Sequence, residues 1–280
     1  MSIKLTADST SDLGVNAQKH SVDIMPLLVI LGEKSYRDGV DITPQDIFDF
    51  VDKTGTLPKT AAPSISDYEE FFTDALEGAD EVIHFSISSK SSSAFNYAQG
   101  AAKSFGGRVR VIDTKALSSG EGLLVLKAVD LIKEGRSAAE IEEQINAVRN
   151  KVNTSFIPDR LDYLYKGGRC SRMAMYGANL LKIHPLIAMD DGQLVASTKY
   201  RGSMSKCISS YVNDLAEKYP EYDARRCFIT HSGADRELVE LARERIAARF
   251  SFEEVLETVA GSVITGHCGR NTLGVLFIAK

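Results

Sequence analysis

The chain has 280 residues, enough for one large domain or two ordinary ones and for a substantial core either way. Hydrophobic residues make up 44% and charged residues 25%, the balance of a soluble globular protein. A net charge of -5 argues against non-specific nucleic-acid binding, and no apolar run approaches the ~18 residues of a membrane span.

The opening Met1-Ser2-Ile3-Lys4-Leu5 lacks the basic and apolar stretches of a signal peptide, so a cytoplasmic location is expected. Cys170, Cys207, Cys227 and Cys268 are widely spaced and form no Cys-x-x-Cys pair. They are expected to be reduced thiols, with no metal and no cofactor.

In chain order, Ile3 to Ala7 reads as a strand running into the polar loop Asp8-Ser9-Thr10-Ser11-Asp12. Val22 to Ile30 is an apolar run broken by Pro26, read as one bulged or edge strand. Thr43-Pro44 opens a helix to about Lys53, and Ser66 to Glu69 reads as a capping box for the next, to about Leu76. Strands follow at Glu81–Ile87 and Val109–Asp113, with helices over Ser91–Phe105, Gly122–Lys133 and from Ser137. Strands alternating with helices predict a mostly parallel sheet, with ligands at the strands' carboxyl ends. Three loops qualify: those after Ala7, Ile87 and Asp113.

The second half differs. A strand over Val152–Ile157 precedes a short helix at Asp159–Tyr165, a turn at Lys166-Gly167-Gly168-Arg169 and a helix over Met173–Leu181. Strands at Leu186–Met189 and Leu194–Thr198 flank the hairpin signal Asp191-Gly192. Helices over Ser203–Lys218 and Asp235–Phe250 alternate with strands at Cys227–His231, Val255–Val259 and Leu273–Ala279. The expectation is an N-terminal parallel-sheet α/β domain over 1–155, followed by an α+β domain over 156–280. The second sheet should be mixed or antiparallel, and a cleft between the domains is the natural pocket.

Six serines crowd the eight positions from Ser86 to Ser93, between a strand and a helix. Hydroxyls at a helix N-terminus suit an anion, and the number exceeds what capping requires. Asp8 to Asp12 could hold a metal or phosphate, or be a hydrogen-bonded turn. Lys166 to Arg172 is basic and glycine-rich, fit either to grip a phosphate or carboxylate or to end a helix. His267, in the glycine-bounded Gly266-His267-Cys268-Gly269, could donate a hydrogen bond, shuttle a proton or simply sit in a turn. Gly120-Glu121-Gly122 is only a fragment of a dinucleotide fingerprint and is discounted.

Together and in this order, these segments resemble the DegV family. Asp8 to Leu13 resembles its first motif, and Thr60-Ala61-Ala62-Pro63-Ser64 its Thr-Ser-Gln-Pro-Ser. Ile87 to Phe95 resembles Ile-Ser-Ser-x-Leu-Ser-Gly-Thr-Tyr. Tyr163 to Ser171 resembles Tyr-Leu-x-x-Gly-Gly-Arg-Ile-Ser, and Lys182 to Leu186 the Lys-Pro-Ile stretch after it. The resemblance implies a carrier, not an enzyme, that holds one long-chain fatty acid as its ligand. It places the carboxylate at Thr60 and Ser92 with His267 beside it, and Ala61, Ser93 and Ser88 in the head-group vicinity. It also implies a fatty acid kinase subunit as a partner, met through Arg169 and Arg172. The sequence departs from the family pattern at Ala61, Ala62, Ser91, Ser93, Ala94, Cys268, Gly269, Arg270 and Asn271, which bears on ligand identity and head-group contacts. Two other readings compete. One is a serine hydrolase or acyltransferase using the Ser86–Ser93 cluster with His267 as base, although the chain has no Gly-x-Ser-x-Gly elbow. The other is a phosphate- or sugar-binding module built on the Gly-Gly-Arg turn.

Overall fold

The computed structural model describes residues 2–171 and 183–280. The chain begins with β1 (Ile3–Asp8), α1 (Val15–Lys19), β2 (Asp23–Met25), β3 (Leu28–Leu31), β4 (Lys34–Arg37), α2 (Pro44–Thr54) and β5 (Lys59–Ala61). It continues through α3 (Ile65–Leu76), β6 (Glu81–Ser86), α4 (Ala94–Ala102), β7 (Val109–Asp113), α5 (Ser119–Lys133) and α6 (Ala138–Val148). Then come β8 (Val152–Asn153), β9 (Ser155–Ile157), α7 (Asp162–Gly167), β10 (Cys170–Ser171), β11 (Ile183–Asp190) and β12 (Gln193–Arg201). The remainder is α8 (Met204–Lys218), β13 (Tyr222–Ser232), α9 (Arg236–Arg249), β14 (Glu254–Val259), α10 (Ser262–Cys268) and β15 (Thr272–Ala279).

These elements form an α/β protein with three sheets. A parallel sheet runs β2-β1-β6-β7, and β4-β3-β5 form a small antiparallel sheet beside it. A larger mixed sheet runs β10-β12-β11-β9-β15-β13-β14, with β8 paired to β15. Within it β13 and β14 are parallel, while β15 is antiparallel to β13, β9 and β8. The N-terminal parallel sheet and the C-terminal mixed sheet are those expected from the strand–helix alternation and the hairpin signal.

The apolar cores join the two large sheets. One cluster gathers Met25, Leu27, Tyr68 and Phe72 with Phe156, Leu194 and Ile264. A second gathers Leu5, Phe85 and Leu124 with Phe228 and Leu276. A third, from Ile157 to Phe277, lies beneath α8 and α9. Burial of such side chains contributes about 1.5–3 kcal/mol each.

Several boundaries differ from expectation for physical reasons. The Val22–Ile30 run is two strands in two sheets, because Pro26 has no N–H for a ladder and the chain changes sheet there. The capping box of α3 is Ser64 with Asp67, so the helix starts at Ile65. The stretch from Ser91 becomes helical only at Ala94 and ends in a 3-10 turn at Lys103–Phe105. The α5 helix begins at Ser119, before the expected Gly122. Its early glycines serve close packing: a Cβ at Gly120 would lie 2.1 Å from Thr154 Oγ1, and one at Gly122 2.8 Å from the Ser11 carbonyl. His267 sits on α10 rather than in a loop, where Gly266 makes room for Pro58. Arg172 and the helix expected over Met173–Leu181 lie outside the described residues.

Candidate functional site

The loops after β6 and β7 close one side of a cavity of about 300 Å³ between the sheets. Its walls are apolar over much of their extent, with Leu27, Ile87, Leu117, Leu164, Leu194 and Ile264 facing the space. Its polar groups gather at Thr60, Ser91, Ser92, Ser93, His267 and Arg169. This is the usual composition of a small-molecule site, a mostly apolar concavity with a few placed polar groups.

Three elements supply the polar groups of the lining. Thr60 lies on β5, opposite Val29 of β3. Ser92 and Ser93 precede α4, whose amide dipoles favour negative charge there. His267 comes from α10 and stands 3.0 Å from Thr60, Nε2 to Oγ1. Its Nδ1 is shut off from solvent and bonds to none of the described residues. Placing the proton on Nε2 avoids burying an unpaired N–H. His267 then donates to Thr60, and the Thr60 hydroxyl proton is left to point into the cavity.

Burial, aided by the nearby positive charge of Arg169, pulls the His267 pKa down to about 4. The imidazole is therefore neutral at physiological pH. Ser92 Oγ accepts from the Ala94 amide at 3.2 Å, which leaves its proton available as well. Two hydroxyl donors and the start of α4 thus line the same cavity as the leucine side chains.

The serine cluster is divided in its uses. Ser86 donates to Asp8 at 2.6 Å, and Ser89 to Asp113 at 2.6 Å. Ser88 is buried and donates to the Gly192 carbonyl at 2.7 Å, outside the cavity lining. Its hydroxyl fastens the β11–β12 hairpin tip instead. Ala61 and Ala62 line the cavity beside Thr60. Arg169 lines it too, with Nη1 donating to the Gly167 carbonyl. Gly167 closes α7 directly against His267: a Cβ there would lie 2.8 Å from Nδ1. Gly168 takes the left-handed conformation that ends the helix, φ 66°.

Asp8, at the end of β1, is tied into internal hydrogen bonds. Asp8 accepts from Tyr68 Oη, Ser86 Oγ and the Ile87 amide at 2.6–2.9 Å. Among the described residues no group of three or more His, Cys, Asp or Glu side chains is placed to hold a metal ion. Cys207, Cys227 and Cys268 are buried as thiols. Among the described residues no helix is long and apolar enough to cross a membrane. Sequence reasoning did not find the apolar wall: Leu27, Leu117, Leu164 and Leu194 look like any core leucine until the fold assembles them.

A three-sheet α/β framework around a largely apolar cavity lined also by hydroxyls and an imidazole has the form of a small-molecule-binding fold. The model of the DegV family, described as a family of uncharacterised proteins, matches residues 2–280, and the chain belongs to that family. A DegV domain-containing protein of Deinococcus radiodurans is 32% identical over 287 residues, covering 98% of each chain. A fatty acid-binding protein of Thermotoga maritima is 31% identical over 283 residues, covering 98% of this chain and 96% of its own. A solved DegV family protein of Thermus thermophilus, described by its fatty acid binding, superposes with a TM-score of 0.90 at 32% identity, covering 100% of both chains.

Proposed function

We propose that this protein binds one long-chain fatty acid in the cavity and carries it, without transforming it, in the cytoplasm. The carboxylate lies against Thr60, Ser92 and the neutral His267, and the alkyl chain along the leucine-lined wall. Residues 1–155 supply the loops that carry Thr60 and Ser92, and residues 156–280 cover the pocket and add His267 to it. The observation that carries this reading is the presence of the Thr60 and Ser92 hydroxyls, with protons left to donate, in the lining of a cavity otherwise rich in leucine and isoleucine. The fatty-acid-binding relatives support it.

Energetics suit a carrier. Each buried methylene contributes about 0.8 kcal/mol, so a dozen give roughly 10 kcal/mol gross. Each hydrogen bond to the charged head group adds about 1.5–3 kcal/mol. The tail drives affinity, and the head site keeps a buried carboxylate from standing unpaired.

A hydrolase reading fits the geometry less well. The His267 Nε2 bonds to Thr60 rather than to a serine, and among the described residues no carboxylate orients its Nδ1. Ser88 and Ser86 are buried in other bonds. A partner that takes up the acid, such as a kinase subunit, would meet the exposed Arg169 at the rim and, on the same basic segment, Arg172.

Native mass spectrometry of the purified protein tests the carrier reading. The expected result is a mass excess of one long-chain acid, lost on organic extraction and regained with added palmitate. Protein that is empty and takes up no palmitate would overturn it. A fluorophosphonate probe should leave the serines unlabelled.

A further inference from the structure

The helix that carries His267 has no cap of its own. α10 has seven residues, too short to persist alone, and its N-cap is Gly261, which has no side chain to offer. Two carboxylates from distant parts of the chain serve instead. Asp12 Oδ1 accepts from the Gly261 amide at 2.8 Å, and Asp38 Oδ1 from the Ser262 amide at 2.7 Å.

Both acids are themselves held. Ser118 donates to Asp12 Oδ2 at 2.5 Å, and Thr258 to the Asp12 carbonyl at 2.6 Å. Ser9 donates to Asp38 Oδ2 at 2.9 Å, while the Ser9 hydroxyl oxygen accepts from the Leu27 amide at 3.1 Å. Gly261 lets the two carboxylates close in: a Cβ there would lie 3.1–3.3 Å from three of their oxygens. The last residue but one of the same helix is His267, at the polar end of the cavity.

We infer that Asp12 and Asp38 are positioning residues for the ligand head group, capping α10 from outside so that His267 meets Thr60 in register. The acidic loop after β1 thereby acquires a role in binding without touching the ligand. This inference rests on the fatty-acid reading of the cavity.

The two carboxylates face each other across Gly261, and burial raises the pKa of both, that of Asp12 to about 8. An amide can replace a carboxylate here while keeping an oxygen for the backbone N–H. Asp38→Asn is therefore the conservative variant and Asp38→Ala the disruptive one, with Gly261→Ala as a milder perturbation of the same contact should Asp38→Ala fail to fold.

The test uses the full-length protein, cis-parinaric acid as a fluorescent probe, and imidazole NMR of His267. Asp38→Ala, or Gly261→Ala in its place, should release the probe roughly tenfold faster, the scale of a lost helix cap. Asp38→Asn should stay within about threefold of the wild type. The His267 resonances of the ligand-free protein should shift in the disruptive variant and return in Asp38→Asn. In a His267→Ala background the disruptive change should add almost nothing to the release rate.

Unshifted His267 resonances with unchanged release, alongside a lowered melting temperature, would overturn the inference and leave a purely structural cap. So would an equal acceleration with and without His267. If His267→Ala alone leaves release unchanged while the resonances still move with Asp38, it is the head-group reading of His267 that fails and the cap that stands.

Discussion

Thr60 and His267 are 207 residues apart in the chain, yet their side chains meet at 3.0 Å. One comes from an edge of the small antiparallel sheet and the other from a short helix that follows β14. Their contact makes Thr60 a donor toward the cavity, because the imidazole occupies the Thr60 oxygen. Removing Thr60 and Ser92 together, as Thr60→Ala with Ser92→Ala, should weaken palmitate binding while the fold persists. Each lost bond to the carboxylate is worth about 2 kcal/mol, roughly 30-fold in Kd. Calorimetric titration with palmitate, beside a circular-dichroism melt, checks this. Unchanged affinity in a folded double variant would remove both residues from the site.

The neutral state of His267 has a consequence for stability. Its folded pKa, about 4, lies below the 6.5 of the unfolded chain. Its contribution is therefore fully present above pH 6.5 and is lost as pH falls toward 4, since the unfolded chain takes up the proton first. The loss is on the order of 3 kcal/mol. Urea unfolding at pH 7 and pH 4.5 should show the wild type losing more stability than His267→Gln. Parallel losses in the two proteins would contradict this.

Gly167→Ala should damage the site through packing alone. A methyl group at 2.8 Å from His267 Nδ1 forces either the imidazole or α7 to move. The expected loss is about 1–3 kcal/mol, the cost of overpacking a filled interior. Ligand affinity should fall along with the melting temperature, whereas a melting temperature equal to wild type would show that the neighbours yield freely.

The tip of the β11–β12 hairpin is fastened to the serine loop. Lys90 and Lys115 reach Asp191 at 2.5 and 3.0 Å, and Ser88 holds the Gly192 carbonyl. Leu194 of the same hairpin lines the cavity. Asp191→Asn should speed the release of bound fatty acid, and raising the salt concentration should do the same to the wild type, since exposed pairs are screened. Stopped-flow release into excess albumin measures both. A rate indifferent to salt and to the substitution would count against the hairpin as a clasp.

The strand–helix alternation and the Asp191-Gly192 turn were legible in the sequence because each has a local cause. A hydrophobic period, a capping box or a left-handed glycine writes itself within a few residues. The same holds for the serine-rich segment before α4, recognisable as a helix start. What could not be read depends on distant contacts. Pro26 ends one strand, but nothing near it says that β3 joins a different sheet. The turn-like Gly266-His267-Cys268-Gly269 belongs to a helix whose first amides are capped by Asp12 and Asp38, more than two hundred residues away. Which serines face the cavity depends on partners such as Gly192 and Asp113, more than a dozen residues away. The relation of Gly167 to His267 has no local signature at all.

β15 follows every other strand in the chain but lies inside the mixed sheet, between β9 and β13. On the ribosome, where synthesis runs from the N-terminus, the slot it fills stays open until Thr272–Ala279 have emerged. The same is true of α10, which brings His267 to Thr60. Until then the apolar groups that pack against β15, Phe228 among them, lack that partner, and the cavity lacks the wall that α10 supplies. A fatty acid held as proposed would need both β15 and α10 in place before it could be captured.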